Sequence, residues 1–285
     1  MTTDDERSTA SWRPPGSGLP VGDLLDTSTI TGDLPVPSSA LAIGAHPDDI
    51  EFGAGATLAR WAAAGCRVHH LVLTDGSKGS WDPDQDLGEL VRARKQECTA
   101  AAACLHGVDV RELDGTDRVQ FLGRVDGELV DDEAARRDVA RVVRTVRPEV
   151  VLGHDPWRRY RLHPDHRAAG FLTLDALVAA RDPHFFSDLG LEPHRPGALL
   201  LWEADLPNHV ERATGFATTK VDALLCHHSQ LETTMGLVGD PASDHGRPAQ
   251  DGRSAFAARI DWQLAQHGAL AGIDQGEAFH LMVGL

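Results

Sequence analysis

Two segments rich in His and Asp carry the residue types that bind metal ions and move protons. The first is the sequence HPDD at residues 46–49, and the second is residues 154–166, which end in HPDH at 163–166. Imidazole nitrogens and carboxylate oxygens are both ligands of zinc. A catalytic zinc site needs three protein ligands and one further position for water. The two segments therefore predict a metal-dependent hydrolase, if the fold brings them together.

The residues of these segments divide naturally into ligands and catalytic groups. His46, Asp49 and His166 would supply three metal ligands, which leaves Asp48 and His163 as the acid–base pair. Each segment also has a purely structural interpretation. In that interpretation, an aspartate of the first segment caps a helix N-terminus, and the histidines of the second segment are surface loop residues. Two such segments, each after a strand of one parallel sheet, favour the metal interpretation.

Two neighbouring residues have simpler expected roles. Asp165 is expected to cap the helix that holds His166. His154, at the end of a predicted strand, is expected either to support a metal ligand or to be a packed polar residue.

The elements that must position these segments alternate between strands and helices. Strands are predicted at 39–45, 67–74, 108–113, 149–153, 198–204 and 278–283. Helices are predicted at 57–64, 86–106, 132–146, 166–180, 219–231 and 253–267. This alternation predicts an α/β fold in a single domain, with a mainly parallel sheet and helices on both faces. Ligands bind at the carboxyl ends of the strands in such sheets, and both segments come directly after strands.

Length, charge and cysteine usage narrow the organisation and the function classes. Residues 1–37 of the 285 are predicted to be a flexible N-terminal extension, residues 38–285 the folded domain, and residues 235–252 a mobile flap. A net charge of −16 argues against binding to nucleic acid or to an anionic membrane. No segment approaches the ~20 apolar residues of a membrane span. The four cysteines form no CxxC pair, which favours a reduced, cytoplasmic protein.

With their surroundings, the two segments resemble the PIG-L/LmbE family of zinc-dependent N-acetylglucosaminyl-type deacetylases. The similar stretches are AHPDDIEFGAGATLARWAAAGCRVHHLVLTDGSKGS from residue 45, VLGHDPWRRYRLHPDHRAAG from residue 151 and KVDALLCHHSQ from residue 220. The resemblance covers about residues 40–235. It implies a Rossmann-like fold and a hydrolase that removes an N-acetyl group from a glucosamine-type sugar conjugate. The implied cofactor is Zn2+, with Fe2+ as the alternative metal.

The resemblance also implies roles for single residues. His46, Asp49 and His166 match the metal ligands of the family, Asp48 matches its general base, and His163 matches the His that assists the oxyanion or protonates the leaving amine. Four further positions are expected to contact the substrate: Arg94, Asp126, Tyr160 and His227. Some members carry a Tyr two residues before the His that His163 matches, where this chain has Arg161.

Two other functions remain open at this point. The chain could be a zinc amidase that acts on a larger thiol conjugate or on a natural-product N-acyl amide. It could also be a metal-binding scaffold without turnover, although such a site would need neither Asp48 nor His163. The expected partner is a small N-acetyl sugar, and a homo-oligomer is an open expectation.

Overall fold

A computed structural model describes residues 30–113, 116–237 and 250–285. The strands are β1 (Thr31–Gly32), β2 (Ser39–Gly44), β3 (Arg67–Thr74), β4 (Val119–Arg124), β5 (Val150–His154), β6 (Ala198–Trp202), β7 (His209–Arg212) and β8 (Gly276–Val283). The α-helices are α1 (Asp49–Ala63), α2 (Leu87–His106), α3 (Glu133–Val146), α4 (Pro164–Arg181), α5 (Ala217–Leu224) and α6 (Gln250–Ala269).

The eight strands of the described residues belong to one open sheet, in the order β1-β7-β8-β6-β5-β2-β3-β4. Strands β6, β5, β2, β3 and β4 run parallel to one another, and β8 is antiparallel to both of its neighbours. The prediction of a single α/β domain with a mainly parallel sheet is therefore confirmed. Strands β2 and β5 are direct neighbours, with Ala40 opposite Val150, so the two segments that come after them leave the sheet side by side.

The central strands are buried on both faces of the sheet, because their side chains point alternately to two faces that helices cover. On β2, Ala42 packs in a cluster with Leu58 of α1 and Cys98 of α2. The adjacent Ile43 packs on the other face in a cluster with α3 and α4. Helices on both faces are therefore confirmed, and both segments are held by fully packed strands.

Strand prediction failed where strands are polar or partly exposed. The predicted strand at 108–113 is wrong, because Val110–Glu112 forms a short 3-10 helix and the strand is β4 at Val119–Arg124. Strand β4 is the edge of the sheet and is mostly half-buried, so it lacks a continuous apolar run. Strand β7, with the sequence HVER, was not predicted, because two of its four side chains are charged. In the fold, its buried His209 bonds to buried Glu211 at 2.8 Å.

The ends of several elements also differ from the prediction. Helix α1 begins at Asp49 instead of residue 57, and α5 ends at Leu224, with a 3-10 turn at His228–Gln230 after it. Strand β1 lies in the predicted N-terminal extension, yet it pairs with β7.

Residues 1–29 of that extension and residues 238–249 of the predicted flap lie outside the described part of the chain. Within the described residues, no helix is both long and apolar enough to cross a membrane.

Candidate metal centre and active site

The turn from β2 into α1 presents HPDD in an unusual backbone conformation. Asp48 has a φ of 115°, which non-glycine residues rarely adopt, and its side chain makes no capping hydrogen bond to the helix. The buried guanidinium of Arg94 holds the turn, since it donates to Pro47 O at 2.7 Å and to Gly76 O at 2.9 Å. It also lies 3.4 Å from Asp48 Oδ2. The Asp48 side chain therefore does not cap the helix, and its carboxylate is available for proton transfer.

Donor atoms of the three predicted ligands converge beyond the ends of β2 and β5. His46 Nδ1 lies 3.2 Å from Asp49 Oδ2 and 3.2 Å from His166 Nε2, and His166 Nε2 lies 3.2 Å from Asp49 Oδ1. Ligand atoms around a tetrahedral zinc, with bonds of ~2.0–2.2 Å, are roughly 3.3–3.6 Å apart. Two nitrogens and a carboxylate at this spacing suit a zinc ion.

His46 is oriented by two carboxylates that sequence reasoning did not connect with it. Its Nε2 lies 3.1 Å from Asp165 Oδ2 and 3.2 Å from Asp126 Oδ1. Carboxylates at this distance accept, so Nε2 carries the proton and the lone pair of Nδ1 faces the convergence point. The expectation that Asp165 caps α4 is wrong: its fully buried carboxylate accepts from the backbone N–H of Gly127 at 2.6 Å and of Leu129 at 3.1 Å.

Asp48 and His163 lie beside this convergence point in one cleft of about 290 Å³. His163 precedes α4, and its Nδ1 accepts from Asp165 N at 3.3 Å, which leaves the ring proton on Nε2. The His163 ring is 4.5 Å from that of His46, centroid to centroid. The residues that line the cleft are His46, Asp48, Asp49, Lys78, Gly79, Arg94, Asp126, Gly127, His163, His166, Gln230 and Thr234.

The electrostatics of the cleft separate the two adjacent aspartates. Burial raises the pKa of Asp48 to about 6, against the opposing effect of Arg94. Burial also raises the pKa of Asp49, but His166 and His154 overcome it and hold that pKa well below its usual range. Burial lowers the pKa of His163, and the nearby His46 lowers it further. Asp49 is therefore an anion suited to a cation, and Asp48 can exchange a proton near neutral pH.

Two of the four expected substrate contacts line the cleft, and two do not. Arg94 and Asp126 line the cleft. Tyr160 is 94% exposed and is not among the residues that line it. His227 is fully buried outside the cleft lining, with Nε2 at 3.3 Å from Glu51 Oε2.

The position next to Tyr160 contacts the candidate metal centre directly. Arg161 Nη1 lies 2.7 Å from His166 Nδ1 and 2.6 Å from Glu203 Oε2. Sequence reasoning assigned no role to Arg161. Its place two residues before His163 was the signal that could have indicated one.

Comparison with known proteins gives one consistent family. A sequence profile of the PIG-L family, described as GlcNAc-PI de-N-acetylase, matches residues 41–177. The chain is 34% identical over 204 residues to a diacetylchitobiose deacetylase of Thermococcus kodakarensis, which covers 70% of this chain and 73% of the relative. It is 31% identical over 250 residues to a 1D-myo-inositol 2-acetamido-2-deoxy-alpha-D-glucopyranoside deacetylase of Streptomyces scabiei, covering 67% of this chain and 76% of the relative.

A solved structure has the same fold over most of the chain. It is an N,N'-diacetylchitobiose deacetylase from Pyrococcus horikoshii in complex with an inhibitor, with a TM-score of 0.72 and 26% identity. The similarity covers 87% of this chain and 85% of the solved one. The sequence matches and the shared fold lead to one conclusion: this chain belongs to the PIG-L family of de-N-acetylases.

Proposed function

We propose that this protein is a zinc-dependent N-deacetylase that hydrolyses the N-acetyl group of a glucosamine-type sugar conjugate. The observation that carries the proposal is the convergence of His46, Asp49 and His166 at mutual distances of 3.2 Å, with Asp48 and His163 in the same cleft. The relatives named above are deacetylases of acetylated amino-sugar compounds, which supports this reaction class. A cleft of about 290 Å³ is at the small end of ligand sites and suits one acetylated sugar unit.

The proposed ligands are His46, Asp49 and His166. A zinc ion held there, or Fe2+ in its place, would lower the pKa of a water molecule towards ~7 and polarise the acetyl carbonyl. If His166 binds the metal through Nε2, its proton would be on Nδ1. The Arg161 guanidinium, 2.7 Å from Nδ1, would then pair with Glu203, its other partner.

Proton transfer falls to Asp48 and His163. With a pKa raised to about 6 by burial, the Asp48 carboxylate is suited to take a proton from the attacking water as general base. His163 can donate from Nε2 to the oxyanion that develops on the acetyl oxygen. The leaving amine receives its proton from His163 or from Asp48. The products are acetate and a primary amine.

Arg94 and Asp126 are the proposed substrate contacts that reach the cleft. Both already bind protein groups, because Arg94 holds the HPDD turn and Asp126 Oδ2 accepts from Lys78 N at 3.0 Å. Their proposed role is to orient sugar hydroxyls while they keep these bonds. The exposed Tyr160 and the buried His227 would contact substrate only if their surroundings moved, so we give them no part in the reaction.

A second candidate function is hydrolysis of a larger amide, such as a thiol conjugate or a natural-product N-acyl amide. The observation that favours it is a pair of exposed apolar side chains next to residues that line the cleft. Trp81 comes two positions after Gly79, and Leu162 directly precedes His163. Such side chains could bind an apolar part of a substrate whose acetamide lies in the cleft.

Location and assembly remain predictions. The four cysteines are free thiols, as expected for the reducing cytoplasm that we propose. Homo-oligomer formation can be measured by light scattering of the purified protein.

The test combines metal analysis with acetate release from a panel of N-acetylglucosamine conjugates of inositol, malate, chito-oligomers and glycopeptides. We expect wild type to bind about one zinc ion per chain and to release acetate from at least one conjugate. Asp48→Asn should keep the metal and lose most activity, because it removes the base and spares the ligands. Asp274→Asn, at an exposed carboxylate that does not line the cleft, is the control. Full activity in Asp48→Asn, or no metal in active wild type, would refute the assignment.

A further inference from the structure

His154 and Trp202 form a buried pair directly behind the metal ligand Asp49. They end the neighbouring strands β5 and β6, where they lie opposite each other in the sheet, and both are 1% exposed. Trp202 Nε1 lies 3.0 Å from His154 Nδ1, and His154 Nε2 lies 3.2 Å from Asp49 Oδ2. The reaction proposed above gives neither residue a role.

The space for this indole is built into α1. A Cβ atom at Gly53 would overlap the Trp202 ring, so the glycine allows the indole to reach His154. The two rings meet edge to face, with centroids 5.0 Å apart and an interplanar angle of 68°. The Trp202–His154 contact is therefore held by packing as well as by a hydrogen bond.

The indole determines which nitrogen of His154 carries the proton. An indole N–H can only donate, so Nδ1 must accept and the proton of the neutral ring must be on Nε2. Nε2–H then donates to Asp49 Oδ2. Ala45 N–H also approaches Nε2, at 3.3 Å. The opposite tautomer would suit Ala45, but it would set two N–H groups against each other at 3.0 Å and aim a lone pair at a carboxylate oxygen at 3.2 Å. One unfavourable contact costs less than two, so the Nε2–H form is the stable one.

This tautomer also argues against His154 as a metal ligand. Atoms of Asp49, His154 and His166 lie close enough together to hold an ion. With its proton on Nε2, however, His154 has no lone pair to offer on that side. It acts as a donor to Asp49, whose Oδ2 also accepts from His46 N at 2.7 Å.

We propose that Trp202 and His154 are positioning residues that fix the Asp49 carboxylate as a metal ligand through a chain of two hydrogen bonds. The proposal rests on the metal centre proposed above. Groups that hydrogen-bond to metal ligands typically change metal affinity by roughly 10–100-fold when they are removed.

The test variant is Trp202→Phe, which keeps an aromatic ring against Gly53 and removes the N–H. Trp61→Phe is the matched control, because Trp61 is also fully buried and its Nε1 has no hydrogen-bond partner within the described residues. We expect Trp202→Phe to bind zinc roughly 10–100-fold more weakly than Trp61→Phe, measured by competition with a chromophoric chelator. At saturating zinc, activity per bound metal should differ little between the two variants.

A second readout does not depend on metal or activity. Long-range ¹H–¹⁵N NMR distinguishes the two histidine tautomers, and the signal of His154 is assigned by its loss in His154→Gln. We expect a protonated Nε2 in wild type and in Trp61→Phe, and a shift towards protonated Nδ1 in Trp202→Phe. Equal zinc affinity in the two Phe variants, or a protonated Nδ1 in wild type, would overturn this inference. Failure of wild type to bind zinc would instead overturn the proposed metal centre.

Discussion

Asp165→Asn tests whether the buried carboxylate behind His46 supports this proposed metal ligand. One Asp165 oxygen accepts from Gly127 N at 2.6 Å and lies 3.1 Å from His46 Nε2, while the other accepts from Leu129 N at 3.1 Å. An amide has one accepting oxygen and one donating nitrogen. Its better orientation keeps the Gly127 and His46 contacts and turns its NH2 group against Leu129 N–H.

That orientation leaves one buried N–H without an acceptor, which should lower the free energy of unfolding by about 1–3 kcal/mol. For a chain of this size, about 1 kcal/mol corresponds to ~2–4 °C in Tm, so we expect a decrease of roughly 2–12 °C. The neutral amide is also a weaker acceptor for His46 Nε2–H, so zinc affinity should decrease by roughly 10–100-fold.

Thermal unfolding is measured in the presence of a chelator, so that weaker zinc binding does not contribute to Tm. Zinc affinity is measured separately by competition. Asp132→Asn is the control, because this exposed carboxylate also accepts a backbone N–H, as the N-cap of α3, and Asn is an equally good N-cap. If Asp165→Asn matched this control in both Tm and zinc affinity, our account of how His46 is oriented would be wrong.

Two further predictions concern titratable residues outside the cleft. Lys220 Nζ donates to Phe52 O at 2.7 Å and to Glu277 Oε1 at 2.6 Å, so Lys220→Met should lose about 3–5 kcal/mol of unfolding free energy in urea titrations. Arg253→Met, at the partly exposed pair with Asp222, should lose less than about 1 kcal/mol, and similar losses in both would contradict the prediction. Burial lowers the pKa of His106 from 6.5 to about 3, so the unfolded chain binds a proton between these pH values that the folded chain excludes. Stability should therefore decrease on acidification from pH 7.5 to 5, by about 2 kcal/mol for His106 alone, and an unchanged pH dependence in His106→Gln would refute this.

The convergence of the proposed ligands was predictable because it depends on local order along the chain. HPDD comes directly after an apolar strand, and HPDH comes after a second one and a short loop. Parallel strands deliver the loops at their carboxyl ends to the same edge of the sheet, so convergence needed only β2 and β5 to be neighbours. The structure shows that β2 and β5 are neighbours and that His46 Nδ1 lies 3.2 Å from Asp49 Oδ2.

Strands whose burial depends on residues far away in sequence were harder to predict. The apolar run at 39–44 identified β2, whereas the half-buried edge strand β4 and the polar strand β7 carry no such run. Burial of charged groups in β7 is possible because Glu211 accepts from Leu34 N and from Arg60, and both partners are far away in sequence. Propensity and periodicity do not encode such partners.

The sequence by itself determined the fold class, the family resemblance and the two segments that are proposed to carry the chemistry. Only the tertiary structure decided which neighbouring side chains work with them. Asp165 was expected to cap a helix, but Gly127 and Leu129 are its backbone partners. The sequence alone does not show that the N–H of Trp202 donates to His154. The physical reason is that the role of a polar side chain depends on which donors and acceptors surround it, and most of these come from distant parts of the chain.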